Sequence, residues 1–355
     1  KLIMAYTTIN KSTDYFNTAT YTGTGSNQTI SNTFQSDMIW VKGRNYAYNH
    51  SIQDAVRGFS ANKVIYPNLA NVEGHYSDTG YIQSVASNNF VVGTGTHSDD
   101  ANYNDNGSTY VSWNWKAGGG QGSSNTDGSI SSTVSANTTS GFSISQWTGT
   151  GSNATIGHGL GVAPKMIILK NRSTSSNWQV YHTGLTSASY TINLDATSAQ
   201  SNDSTYWNGT DPTSSVFSVG TNFRTNGSGN NLIAYCFADV KGFSKFGEYV
   251  GNGSTDGTFV YTGFKPAFVI VKRYSNTGTW LMLDNKRDPI NQTTNGLFPS
   301  ENNAEATGYN FDFLSNGFKP RMSGSGENGS GSNYIYMAFA EAPLVGSNNI
   351  PCTAR

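Results

Sequence analysis

Charge is what this sequence has least of. Only 12% of its 355 residues are Asp, Glu, Lys or Arg, about half the usual share. The 21 basic and 22 acidic residues leave a net charge of -1. No basic stripe is visible, which argues against a nucleic-acid binder. Cysteine is nearly absent: Cys236 and Cys352 are too few for a disulfide framework. Cys236 lies in the apolar run 233–237 and reads as a buried thiol. Cys352 is expected to be exposed in a C-terminal tail. No apolar run approaches the ~20 residues of a membrane helix, so membrane insertion is not expected. Lys1 to Ile3 lead into Thr and Asn rather than a signal-peptide core, and Met4-Ala5-Tyr6 reads as a plausible start.

What is present is aromatic, β-branched and punctuated. Aromatics reach 13% and Gly supplies 40 residues. Disordered chains carry few aromatic or β-branched residues, whereas here short blocks of Tyr, Phe, Trp, Val and Ile alternate with Gly/Asn/Ser turns. That pattern predicts an all-β class.

Five blocks recur three times in one order. The first is Tyr21-Thr22-Gly23-Thr24-Gly25-Ser26, returning from Trp147 to Ser152 and, more loosely, from Tyr249 to Ser254. The second is Met38-Ile39-Trp40-Val41-Lys42, returning as Met166-Ile167-Ile168-Leu169-Lys170 and Phe268-Val269-Ile270-Val271-Lys272; it is apolar throughout and reads as a strand buried on both faces. The third, 49–54, 177–182 and 279–284, is expected to pair with it. The fourth is 89–93, 215–220 and 317–322. The fifth, 110–116, 232–238 and 334–340, follows a Gly/Asn/Ser turn each time, at Asn106-Gly107, Asn226-Gly227 and Asn328-Gly329. An Asn-Gly pair between strands signals a hairpin. The step from Lys170 to Lys272 equals the step from Leu232 to Tyr334, so the last two copies share one register. The first step is longer and contains Gly118-Gly119-Gly120-Gln121-Gly122-Ser123-Ser124, the composition of a flexible linker.

The expected organisation is three tandem antiparallel β-sandwich, jelly-roll-like repeats. They span 1–118, 141–242 and 243–345, with a Gly/Ser/Thr-rich linker at 119–140 and a tail at 346–355.

These blocks, together with 126–144 and Gly157-His158-Gly159-Leu160-Gly161 before the second buried strand, resemble virion proteins of tailed phages of marine and freshwater bacteria, cyanophage-like and pelagiphage-like viruses in particular. The resemblance covers about Tyr6 to Leu344. It implies a virion structural or tail-fibre-like protein of repeated β-sandwich units and carries over no catalytic residue.

The residues add no chemistry to that. Asn102-x-Asn104-x-Asn106-Gly107 resembles the start of an EF-hand, but its twelfth position is Trp113 where the hand needs Glu; it reads as a turn, with Asp99, Asp100 and Asp105 at most a loose cation site. His50, His75, His97, His158 and His182 show no metal-ligand spacing, and His158 reads as a hydrogen-bonded turn residue. No metal or cofactor is expected. A hydrolase needs paired carboxylates, and Glu73, Glu248, Glu301, Glu305, Glu327 and Glu341 have no convincing acidic partner in sequence, so no enzymatic activity is expected. Lys42/Arg44, Lys170/Arg172 and Lys272/Arg273 recur at the end of the second block. They read as solvated strand-end cations pairing with nearby carboxylates rather than as anion or sugar sites.

Loop aromatics are the binding candidates: Tyr46, Tyr48, Tyr76, Tyr81, Tyr103, Tyr206 and Trp207, each set against ordinary loop packing or a subunit interface. The expected function is a phage virion subunit of tail-fibre or appendage type that self-associates, as a trimer or array, and contacts other virion proteins. The alternative is an adhesin for host-surface glycan. A capsid decoration protein and a polysaccharide depolymerase rank behind these.

Overall fold

The computed structural model describes residues 6–97 and 102–345; Asp99, Asp100, Cys352 and the 346–355 tail lie outside them. The described residues form an all-β protein, with two 3-10 turns and one four-residue helix besides its strands.

The first unit contains β1 (Phe16–Thr22), β2 (Gln28–Ser31), β3 (Met38–Gly43), β4 (Ser51–Asp54), β5 (Tyr81–Ala86), β6 (Asn89–Gly93) and β7 (Thr109–Trp115). The second contains β8 (Ser123–Asn125), β9 (Ser132–Asn137), β10 (Phe142–Thr148), β11 (Ala154–Gly157), β12 (Met166–Asn171), β13 (Gln179–His182), β14 (Tyr190–Asn193), β15 (Ser201–Asn202), β16 (Val216–Val219) and β17 (Asn231–Phe237). The third contains β18 (Ser244–Val250), β19 (Val260–Tyr261), β20 (Phe264–Arg273), β21 (Trp280–Asp284), β22 (Phe311–Leu314), β23 (Gly317–Pro320) and β24 (Asn333–Pro343).

One antiparallel order recurs: β1-β7-β3-β4, β10-β17-β12-β13 and β18-β24-β20-β21. Each four-strand set has a small outer sheet over one face, β2-β6-β5, β11-β16 or β19-β23-β22. The second block accounts for the layering. β3 is buried at every position; Ile39 and Val41 face an outer core with Phe90 and Val92, while Met38 and Trp40 face inward. Alternation along a strand sends neighbours to opposite faces, so an unbroken apolar run needs cover on both.

The inward faces of all three sets meet in one core. Phe16, Trp40 and Trp113 share it with Phe142, Ile144 and Tyr235, and with Phe246, Ile270 and Met337. Trp115, Phe237 and Phe339 hold equivalent places opposite Phe16, Phe142 and Ser244. Their rings form a triangle, with centroids 6.3, 5.9 and 6.3 Å apart. The units are therefore not separate beads: they surround a pseudo-threefold axis.

The 119–140 segment differs from the linker expectation. β8 and β9 add to the free edge of β10, with Phe142 opposite Asn137 and Val134 opposite Ser123. This makes an eight-stranded sheet. Backbone pairing needs no apolar composition, so Ser- and Thr-rich segments can close an edge.

The recurrent Asn-Gly pairs do not turn hairpins, because the strands on either side of each lie in different sheets; the Gly-x-Gly blocks are loops pinned there by buried amides. Asn104, Asn226 and Asn328 are fully buried. Their side-chain oxygens accept the backbone N–H of Thr24 (2.9 Å), Thr150 (3.2 Å) and Asn252 (3.1 Å). Their amide nitrogens donate to the carbonyls of Ser26, Ser152 and Ser254. A Cβ on Gly23, Gly149 or Gly251 would collide with the backbone oxygen of Asp105, Gly227 or Gly329. In the first unit the pinning residue is Asn104, two places before the Asn-Gly pair.

Candidate functional site

The loop between β3 and β4 carries the most exposed of the expected aromatics. Tyr21 stacks on Tyr110 at 5.1 Å, Tyr110 on Tyr48 at 6.5 Å, and Tyr48 meets Tyr46 at 5.6 Å. Gly43 makes the ladder possible, because a Cβ there would sit 2.7 Å from the Tyr48 ring. The Tyr48 hydroxyl donates to Asp105 Oδ2 at 2.9 Å, as does Ser108 Oγ, so Asp105 serves the loop. Tyr46 ends the ladder and is 53% exposed. In the third unit only the inner pair persists, as Tyr249 on Tyr334. Tyr76 is half-buried, edge-on to Tyr66 at 5.5 Å, and Tyr81 is half-buried at the start of β5. Neither joins the Tyr46 face through a ring contact.

Three expected surface aromatics are interior. Tyr103 is fully buried in the outer core of the first unit, where burial raises its hydroxyl pKa. Tyr206 and Trp207 are 7% and 1% exposed. Trp207 packs edge-on to Tyr181 at 6.0 Å, and the Tyr206 hydroxyl accepts from Arg224 at 2.7 Å. The outer sheet here has only two strands, β11 and β16, and these loop aromatics fill the space it leaves.

The recurrent lysines are also interior. Lys42, Lys170 and Lys272 are fully buried, with backbone carbonyls as partners. Lys42 Nζ donates to Gly43 and Tyr46 oxygens at 2.6 and 3.3 Å. Lys170 Nζ reaches Ala70 O in the first unit at 2.9 Å. Lys272 Nζ lies within 3.1 Å of four carbonyls, two of them Thr197 and Ser198 of the second unit. Burial, aided by Arg273, pushes Lys272 down to about 7; the carbonyl cage favours the ammonium. The expectation of solvated lysines fails because the loop after each strand folds over its end, joined at Lys170 and Lys272 by a loop of the preceding unit.

Of the recurrent arginines, Arg273 donates to the Thr277 carbonyl of its own loop, while Arg44 and Arg172 pair with carboxylates across the junctions. At the first, Asp54 binds Arg57 (2.5 Å), Arg57 binds Glu73 (2.8 Å), and Glu73 binds Arg172 of the second unit (2.8 Å). The Tyr235 hydroxyl donates to Asp54 at 2.7 Å. Asp284, Arg287, Glu305 and Arg44 repeat the chain between the third and first units, with Trp113 Nε1 donating to Asp284 at 3.1 Å. The junction of the second and third units lacks such a chain among the described residues and has instead one partly exposed pair, Lys245 with Asp239 at 2.7 Å. His182 Nδ1 accepts from Gly184 N (2.9 Å), so its Nε2–H donates to Tyr336 O (3.1 Å). Burial pushes His182 down to about 4. Trp178 and Trp280 donate across two of the junctions, to Tyr66 O and Asn193 O, each at 2.9 Å.

The remaining polar groups are dispersed. The described residues hold no cluster of three metal-ligating side chains. His158 lies in its turn, with Nδ1 accepting from Leu160 N at 3.2 Å. Cys236 is buried, and burial raises its thiol. Burial pushes Glu327 up to about 7 against the pull of Arg273. Tyr309, Tyr334 and Arg273 lie within its electrostatic reach.

Fold and site thus define an all-β body of three fused units with an exposed, tyrosine-backed loop between β3 and β4. Residues 11–343 match a family described as a domain of unknown function (DUF7483). The chain belongs to that family. No curated protein matches it.

Proposed function

We propose that the chain is a structural subunit of a phage virion, of tail-fibre or appendage type, that self-associates and contacts other virion proteins. The observation that carries this reading is the shared core. Three sheets pack on one aromatic centre, and the network-forming charges Asp54, Arg57, Asp284 and Arg287 are spent inside the molecule. Such a body is suited to transmitting load and presenting loops, with its polar groups committed to holding units together. The resemblance to virion proteins of aquatic phages points the same way. Imaging of the assembled particle with this chain resolved tests it. The expected result is ordered density for several copies on the tail or fibre; a particle without the chain ends the proposal.

A second reading, adhesion to host-surface glycan, is favoured by Tyr46. Its exposed ring, backed by Tyr48 and Tyr110, is the type of platform on which a sugar face packs. Replacing Tyr46 by Ala should leave folding stability within ~0.5 kcal/mol and abolish retention of host cells in a pull-down. Unchanged retention would exclude this face.

A further inference from the structure

The three junctions are equivalent in backbone but not in side chain. Thr18, Ile144 and Phe246 hold one position, opposite Trp113, Tyr235 and Met337 in the paired strands. Ile144 and Phe246 lie in the central core. Val56, Gly184 and Lys286 hold another, two residues beyond β4, β13 and β21. Val56 is buried in the same core. Gly184 lies so close to the next unit that a Cβ would meet Glu248 and Ile335 at 3.1 and 3.2 Å. Two junctions are thus closed by apolar side chains or direct backbone approach.

At the third junction both positions are polar. Thr18 stands where the other units place Ile and Phe, and Lys286 where they place Val and Gly. A cleft of about 320 Å³ opens between β1 and the third unit, lined by both residues. Thr18 is 4% exposed and its Oγ1 has no hydrogen-bond partner, a costly state for a buried hydroxyl. Lys286 is exposed and makes no ion pair among the described residues. Glu341, also in the lining, is held by Lys265 at 3.2 Å and by Asn285 Nδ2 at 2.5 Å. Phe16 and Ala340 supply apolar wall.

We propose that this cleft binds a carboxylated monosaccharide, of the uronate class. The carboxylate pairs with the Lys286 ammonium. Ring hydroxyls bond Thr18 Oγ1 and the Glu341 carboxylate, and the C–H face of the sugar lies on Phe16 and Ala340. A neutral sugar leaves Lys286 unpaired, and a simple anion leaves Thr18 unpaired, so the two polar exceptions together select a hydroxylated anion. The volume lies at the low end for small-molecule sites, which suits one sugar unit.

The test is calorimetric titration of the full chain with glucuronate, galacturonate, glucose and inorganic phosphate, repeated on T18I and K286V. T18I restores the residue of β10, and K286V the residue that follows β4. At least one uronate should bind saturably and at least about tenfold more tightly than glucose or phosphate. T18I should abolish that binding with no loss of melting temperature, and K286V should weaken it at least about tenfold. The proposal is overturned if neither uronate binds saturably, if phosphate or glucose binds as well, or if folded T18I binds like the parent. Should T18I fail to fold, K286V decides, since its site is exposed. Assembly without uronate binding defeats only the cleft; binding without assembly defeats only the virion reading.

Discussion

Single buried polar side chains hold much of this molecule in place. Asn104 is the sharpest case, because it satisfies backbone groups of a loop some eighty positions earlier in sequence. Asn104→Ala should cost ~1–3 kcal/mol by leaving them unpaired, whereas Asn106→Ala, on an exposed neighbour, should stay within ~0.5 kcal/mol; urea denaturation of the pair checks this. The Asn-Gly motif made the turn legible but not the pinning residue, which depends on how far the opposing loop reaches. His182 predicts a pH effect. Its folded pKa of about 4 lies below the ordinary value of 6.5, so between those values the unfolded chain binds the extra proton. The stabilisation is complete above pH 6.5 and is lost as pH falls toward 4, at up to ~1.4 kcal/mol per pH unit. His182→Gln should flatten that part of the stability profile, and an unchanged slope would remove His182 as its source.

At the scale of elements, legibility followed locality. Strands such as β3, β12 and β20 were readable because burial on both faces forces an unbroken apolar run. β8 and β9 were not, since their Ser and Thr side chains contribute little and their pairing with β10 is made by backbone. The prediction is direct: limited proteolysis of the folded protein should leave 119–140 uncut, although a free Gly/Ser linker is a preferred cleavage site. Early cleavage there, giving a stable 141–345 fragment, would restore the linker. The lysine cages were illegible for a related reason. Sequence marks a cation at a strand end, but Ala70 and Thr197, whose carbonyls receive Lys170 and Lys272, belong to neighbouring units. The same gap separates Tyr46, whose exposure follows from its short loop, from Tyr206 and Trp207, which long loops fold inward.

At the scale of the whole molecule, the shared core predicts shared unfolding. Heating should give one cooperative calorimetric transition, and the isolated 141–242 segment should not fold as a monomer, since Phe142, Ile144, Ile168 and Phe237 would face water. Three separate transitions would contradict this. Arg287→Ala should move that single transition strongly, because it strands the fully buried Asp284, whereas Glu305 keeps Arg44; breaking a buried pair costs ~3–5 kcal/mol. The fusion of the three units also sets a symmetry rule. A ring closed by three identical subunits must carry every change at all three contacts. In one chain each contact is encoded separately. Thr18 and Lys286 can therefore open one contact while Ile144, Val56 and Phe246 keep the others shut, and any ligand held there comes at one per chain rather than three.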